Sequence, residues 1–96
     1  MWKVNFSPES LADVHSALSY YLGISVSTGE AFILALENGV STLKKNPYYQ
    51  IRYKNIRCLP LHKFPFMLHF ELDEINSQIK ILGCIHTSLN PADKWR

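Results

Sequence analysis

Two residues bracket the densest apolar stretch of this 96-residue chain, and both are of types that do chemistry. Arg57 opens the run RCLPLHKFPFMLHFELDEINSQIKILGCIH, and His86 closes it. An arginine offers a rigid fork of donors that grips a phosphate or carboxylate through two bonds. A histidine titrates near neutral pH and can give or take a proton there. The remaining imidazoles, His15, His62 and His69, are scattered, and no pair sits at the short spacing that lets two metal ligands share a turn or a helix face. Neither a metal nor another cofactor is expected. Cys58 and Cys84 show no CxxC spacing and read as reduced packing residues rather than a disulfide.

Charge is distributed unevenly although the net is only +2. Glu9, Asp13, Glu30 and Glu37 precede residue 40, and the next acid is Glu71. Between them stand Lys44, Lys45, Arg52, Lys54, Arg57 and Lys63, with His62 and His69. An acid-free run of this kind predicts a positive surface for a polyanion or an acidic partner.

The elements that must hold these groups follow from the apolar pattern. Trp2, Val4 and Phe6 alternate with polar residues and predict a short first strand. Ser7-Pro8-Glu9 is a helix start, and Leu11, Val14, Leu18 and Leu22 give its apolar stripe, with Gly23 as a stop. Ser27 and Glu30 have capping-box spacing for a second helix, striped by Phe32, Ile33, Leu36, Val40 and Leu43 and ended by Asn46-Pro47. A strand then runs from about Gln50 to Leu61, disturbed at Pro60. In the bracketed stretch Phe64, Phe66, Leu68 and Phe70 share one face of a strand. After a polar turn, Ile79, Ile81 and Ile85 share a face of the last strand, with Leu82 and Cys84 on the other. Trp95 in the tail is expected to pack back on the sheet. The order β-α-α-β-β-β predicts one α+β domain over residues 1–96, a helical hairpin on a mainly antiparallel four-stranded sheet, with the other face left for the positive groups. No apolar run approaches a membrane span and no signal peptide is legible, so a soluble cytoplasmic protein without membrane partners is expected.

Several short pieces, in this order and spacing, resemble the RelE/ParE superfamily of type II toxin-antitoxin toxins, the family of plasmid stabilisation proteins, over essentially the whole chain. They are Val4-Asn5-Phe6-Ser7-Pro8, Leu43-Lys44-Lys45-Asn46-Pro47, Arg57 before Leu59-Pro60-Leu61, Phe64-Pro65-Phe66, and the last strand running into His86-Thr87-Ser88 and Asn90-Pro91. The resemblance implies a bacterial toxin that inhibits growth and is held inactive by a cognate antitoxin. It further implies ribosome-associated endoribonuclease action on mRNA, with His86 as acid or base and Arg57 as phosphate clamp, and with Arg52, Lys54, His62 and Lys63 as RNA-binding contacts. Two alternatives stand beside it: a non-nuclease ParE-like toxin that poisons DNA gyrase, and an inactive antitoxin-binding module. Leu89 departs from the pattern, because many family members carry a phosphate-binding arginine there.

Overall fold

The structure, a computed structural model, describes residues 2–88. Leu89 and the tail with Trp95 lie outside the described residues. The elements are β1 (Lys3–Phe6), α1 (Pro8–Ile24), α2 (Val26–Lys45), β2 (Ile51–Tyr53), β3 (Ile56–Pro60), β4 (Phe66–Asp73) and β5 (Gln78–His86). They form a sheet of order β1-β5-β4-β3-β2, in which β1 runs parallel to β5 and every other pair is antiparallel. The helices cover one face of it.

The expected α+β hairpin-on-sheet architecture is present, but the sheet has five strands rather than four. The segment expected as one strand reverses at Lys54-Asn55, so that Tyr53 pairs with Ile56 and Ile51 with Arg57. Lys54 takes φ 49°, the left-handed conformation that a two-residue hairpin turn needs. No glycine marks the turn, which hides it in the sequence. Pro60 ends β3 beyond the reach of short β2, where its missing N–H costs no ladder bond.

Ser7 caps α1 by accepting from the Ser10 amide at 3.0 Å, and Pro8 occupies the first helical position. The helices are separated by a single residue. Ser25 donates its amide to the Tyr21 carbonyl at 3.1 Å, closing α1, while its Oγ accepts from the Thr28 amide at 3.1 Å and opens α2. Ser25 thus takes the capping role expected of Ser27, and Gly23 lies inside α1 instead of ending it. The buried stripe of α1 is Ser10, Val14, Ala17 and Tyr21, rotated from the expected leucines; Leu11 and Leu22 are exposed. Small residues at 10 and 17 let α1 lie close on the sheet. Gly39 does the same for α2, since a Cβ there would stand 3.2 Å from Leu61 and 3.3 Å from Leu59.

A second revision concerns β5. Its pairing with β4 steps from His69↔Gly83 to Phe70↔Ile81, leaving Leu82 as an extra residue. This bulge reverses the alternation. Cys84 joins Ile79 and Ile81 in the helix-side core, whereas Ile85, opposite Met67, is buried on the other face. The core closes around an aromatic group in which Tyr21 stacks on Phe32 at 5.3 Å and meets Phe64 edge-on at 4.8 Å. Phe32 is 0% exposed and Ile75, at the β4–β5 turn, is 95% exposed. Phe32→Ala should therefore destabilise by about 3 to 5 kcal/mol through lost burial and a cavity. Ile75→Ala should stay within about 0.5 kcal/mol. Urea unfolding midpoints of the two variants check the contrast.

Candidate functional site

Arg57 and His86 both lie on the helix-covered face, because Arg57 pairs with Phe70 and His86 with Phe66, and both phenylalanines pack into the core. The positive groups expected on the open face therefore do not all reside there. Register positions 66 and 70 are four residues apart, roughly 13 Å along β4, and the two residues flank that strand from opposite sides. The structure does not bring Arg57 and His86 together.

Each is also engaged locally. Arg57 Nε donates to the Tyr49 carbonyl at 2.7 Å, and its guanidinium lies 5.7 Å from the centre of the Tyr48 ring. Tyr48 in turn donates its hydroxyl to Glu74 Oε1 at 2.9 Å. Arg57 so ties the segment after α2 to the sheet, half-buried as a structural clasp. Beside it is a hollow that it shares with Asn55, Glu71, Asp73, Glu74 and Lys80. Folding has brought the acids that follow the acid-free run against the residues within it. At the tip of that hairpin, bonds from the Asn76 side chain and amide hold the Asp73 carboxyl below the usual carboxylate range.

His86 sits at the opposite end of the sheet, edge-on to Phe66 at 5.3 Å. Its Nδ1 accepts from the Ser88 amide at 3.1 Å and lies 2.8 Å from Ser88 Oγ, which leaves the ring proton on Nε2. It lines a cleft of about 540 Å³ with Asp13, Ser16, Ala17, Tyr20, Tyr21 and Ile24 of α1, Pro65 just before β4, and Phe66, Cys84 and Ile85 of the sheet. Asp13 accepts the Cys84 amide on Oδ2 at 3.1 Å. Burial, and then the Asp13 carboxylate, push the Cys84 thiol up to about 12, so it is no nucleophile near neutral pH. Sequence reading passed over this cleft. The available signal was Asp13 itself, an acid three residues after Ser10 and four before Ala17, on the helix's buried face.

The four cationic candidates fall into two groups. Arg52 and Lys54 belong to β2 and its turn, while His62 and Lys63 follow β3, whose five residues span roughly 17 Å. On the open face lies a different arrangement. Tyr53 Oη is 2.8 Å from His69 Nδ1, and Cys58 Sγ is 3.6 Å from the same nitrogen. His69 is 1% exposed, and burial first, then the Arg52 charge, bring its pKa down to about 4. Burial pushes the Cys58 thiol up. Neither group is charged at neutral pH, so this cluster is a satisfied polar core beneath β2. Among the described residues no group of three His, Cys, Asp or Glu side chains could hold a metal ion, and no helix is long and apolar enough to cross a membrane.

Fold and site together define a small α+β domain whose helical hairpin leaves a cleft at one end of a mixed sheet. The fold is similar to that of a chain in the solved structure of the chromosomal ParDE TA system from P. aeruginosa, with a TM-score of 0.64 and 19% identity, covering 90% of this chain and 96% of that one. The likeness bears out the fold expected from the RelE/ParE resemblance. No family model and no curated protein sequence matches the chain.

The buried neutral His69 sets a pH dependence. Its folded-state pKa is depressed, so the unfolded chain binds a proton that the folded chain refuses between pH about 6.5 and about 4. Stability is full above this window and falls as the pH drops through it, with a slope of at most about 1.4 kcal/mol per unit from this group. Urea titrations at pH 7, 5.5 and 4.5 should show a smaller loss in His69→Gln than in the native chain.

Proposed function

We propose that this chain is the toxin of a type II toxin-antitoxin pair, silenced by a cognate antitoxin, and that it arrests growth by binding a macromolecular target of the DNA gyrase kind rather than by cutting mRNA on the ribosome. The likeness over 90% of this chain to a chain of a ParDE TA system supports the toxin-antitoxin part of the reading. The observation that favours binding over cleavage is the separation of Arg57 from His86, with Arg57 already clasping Tyr49. In-line attack of a ribose hydroxyl on phosphate needs its proton acceptor, proton donor and cation within a few ångströms of one phosphorus. Two residues on opposite flanks of β4, one of them beside Glu71, Asp73 and Glu74, meet that need poorly.

Expression from an inducible promoter, in cells lacking the neighbouring reading frame, is expected to arrest growth with transcripts intact and with signs of DNA damage. His86→Ala, checked for an unchanged melting temperature, should arrest growth equally. Transcript ends that appear on induction and vanish in His86→Ala would restore the mRNA-cleaving reading. Normal growth with a well-folded chain would leave an inactive antitoxin-binding module.

A further inference from the structure

The helical layer carries charge of one sign. Between Lys3 and Lys44 the sequence holds four acids, Glu9, Asp13, Glu30 and Glu37, and no lysine or arginine, and that interval contains α1 and all of α2 except its last two residues. Asp13 accepts the Cys84 amide, whereas Glu30 and Glu37 are exposed and form no ion pair among the described residues. The two glutamates stand two turns apart on one face of α2, with Ile33 and Leu34 between them. On the facing side Leu18 and Leu22 of α1 complete a groove of about 440 Å³, lined among the described residues by the two helices alone. Gly29 belongs to its floor; a Cβ there would run into the Leu22 side chain, so the glycine lets α1 and α2 close up at this end. Leu34 is 58% and Leu22 47% exposed, and apolar side chains gathered in water around a groove mark an interaction surface.

We propose that this groove takes a basic amphipathic helix of the target through which the chain arrests growth. Apolar side chains of that helix would seat between Leu18, Leu22, Ile33 and Leu34, with lysine or arginine on its flanks facing Glu30 and Glu37. Recognition of a helix in a groove draws on apolar anchors at three- and four-residue spacing, and matched charge at the rim fixes register and suppresses wrong partners. Two other occupants fit the charge badly. A second copy packed antiparallel about Ile33 and Leu34 would set Glu30 of one chain against Glu37 of the other, a like-charge contact. A membrane surface, with its anionic headgroups, would meet a helical layer that offers no cation before Lys44. The inference rests on the toxin reading for the identity of the partner; groove and charge are read from the helices.

The test uses the full chain, expressed from an inducible promoter in cells lacking the neighbouring reading frame, and a synthetic helical peptide with leucines at three- and four-residue spacing flanked by lysines. Leu34→Glu, and Glu30→Lys combined with Glu37→Lys, each checked for an unchanged urea midpoint, should weaken target engagement about tenfold or more, read as the rise in inducer needed for arrest. Ile75→Glu, a change at another exposed apolar residue but at the β4–β5 turn, should arrest growth as the native chain does. By calorimetry the lysine-flanked peptide should bind the native chain, less tightly as salt rises, and should lose its affinity for the doubly lysine-substituted chain. A native chain that folds but does not arrest growth overturns both this inference and the toxin reading. Undiminished arrest by both groove variants overturns this inference alone, as does a lysine-flanked peptide that binds no better than its glutamate-flanked counterpart. Undiminished arrest with lost affinity for the product of the neighbouring reading frame would assign the groove to the antitoxin. Concentration-dependent self-association lost in Leu34→Glu would assign it to a second copy, and either result overturns the proposal.

Discussion

The fold depends on β5 being held from both sides. Along Gln78 to Ile81 it is the middle strand of a parallel and an antiparallel pairing, and Ile79 and Ile81 there are wholly buried. From Leu82 onward the second ladder is replaced by two side chains, Ser7 and Asp13. A buried backbone group without a partner costs roughly as much as a lost hydrogen bond, so these caps are what allow β1 to be four residues long. The short β1 in turn lets α1 start early and cross above the bulged half of β5. Bulge, cap and cleft are one structural event seen from three positions.

Much of this was legible in the residues, and the failures have physical causes. The period-two run from Phe64 to Phe70 and the Ser7-Pro8 start carried their elements because the signals are local. The Lys54-Asn55 turn was hidden because its left-handed residue is a lysine, tolerated by tertiary pairing against its own preference. The bulge at Leu82 could not be read because Ile-Lys-Ile-Leu-Gly-Cys-Ile is apolar on both faces, and such a strand carries no phase information. One extra residue then moved Cys84 inward and Ile85 outward. The α1 stripe was misplaced for a related reason. Leucines were weighted above Ser10 and Ala17, whereas close helix-to-sheet approach selects for small residues.

The candidate site was less legible than the fold, since sites depend on which residues meet. Arg57 and His86 stand at the two ends of one sequence stretch, and their pairing with Phe70 from β3 and with Phe66 from β5 keeps them apart on either side of β4. His69, counted with the positive groups of the acid-free run, is instead the imidazole that burial holds neutral. Its burial with Tyr53 and Cys58 removes it from chemistry and makes it part of what holds β2 against the sheet.

Charge shows the same dependence on topology. A run without acids from Asn38 to Phe70 suggests a positive face, yet the β4–β5 hairpin places Glu71, Asp73 and Glu74 around Arg57. Three acids and two cations line that one hollow, so a polyanion approaching that end meets little net attraction. His62 and Lys63 lie beyond the other end of β3, at the loop that forms the cleft's rim. The fold thus divides the positive run: Lys44 and Lys45 close α2, Arg52 and Lys54 stand on β2 and its turn, and His62 and Lys63 lie past the far end of β3, so a stretch continuous in sequence is not continuous on the surface.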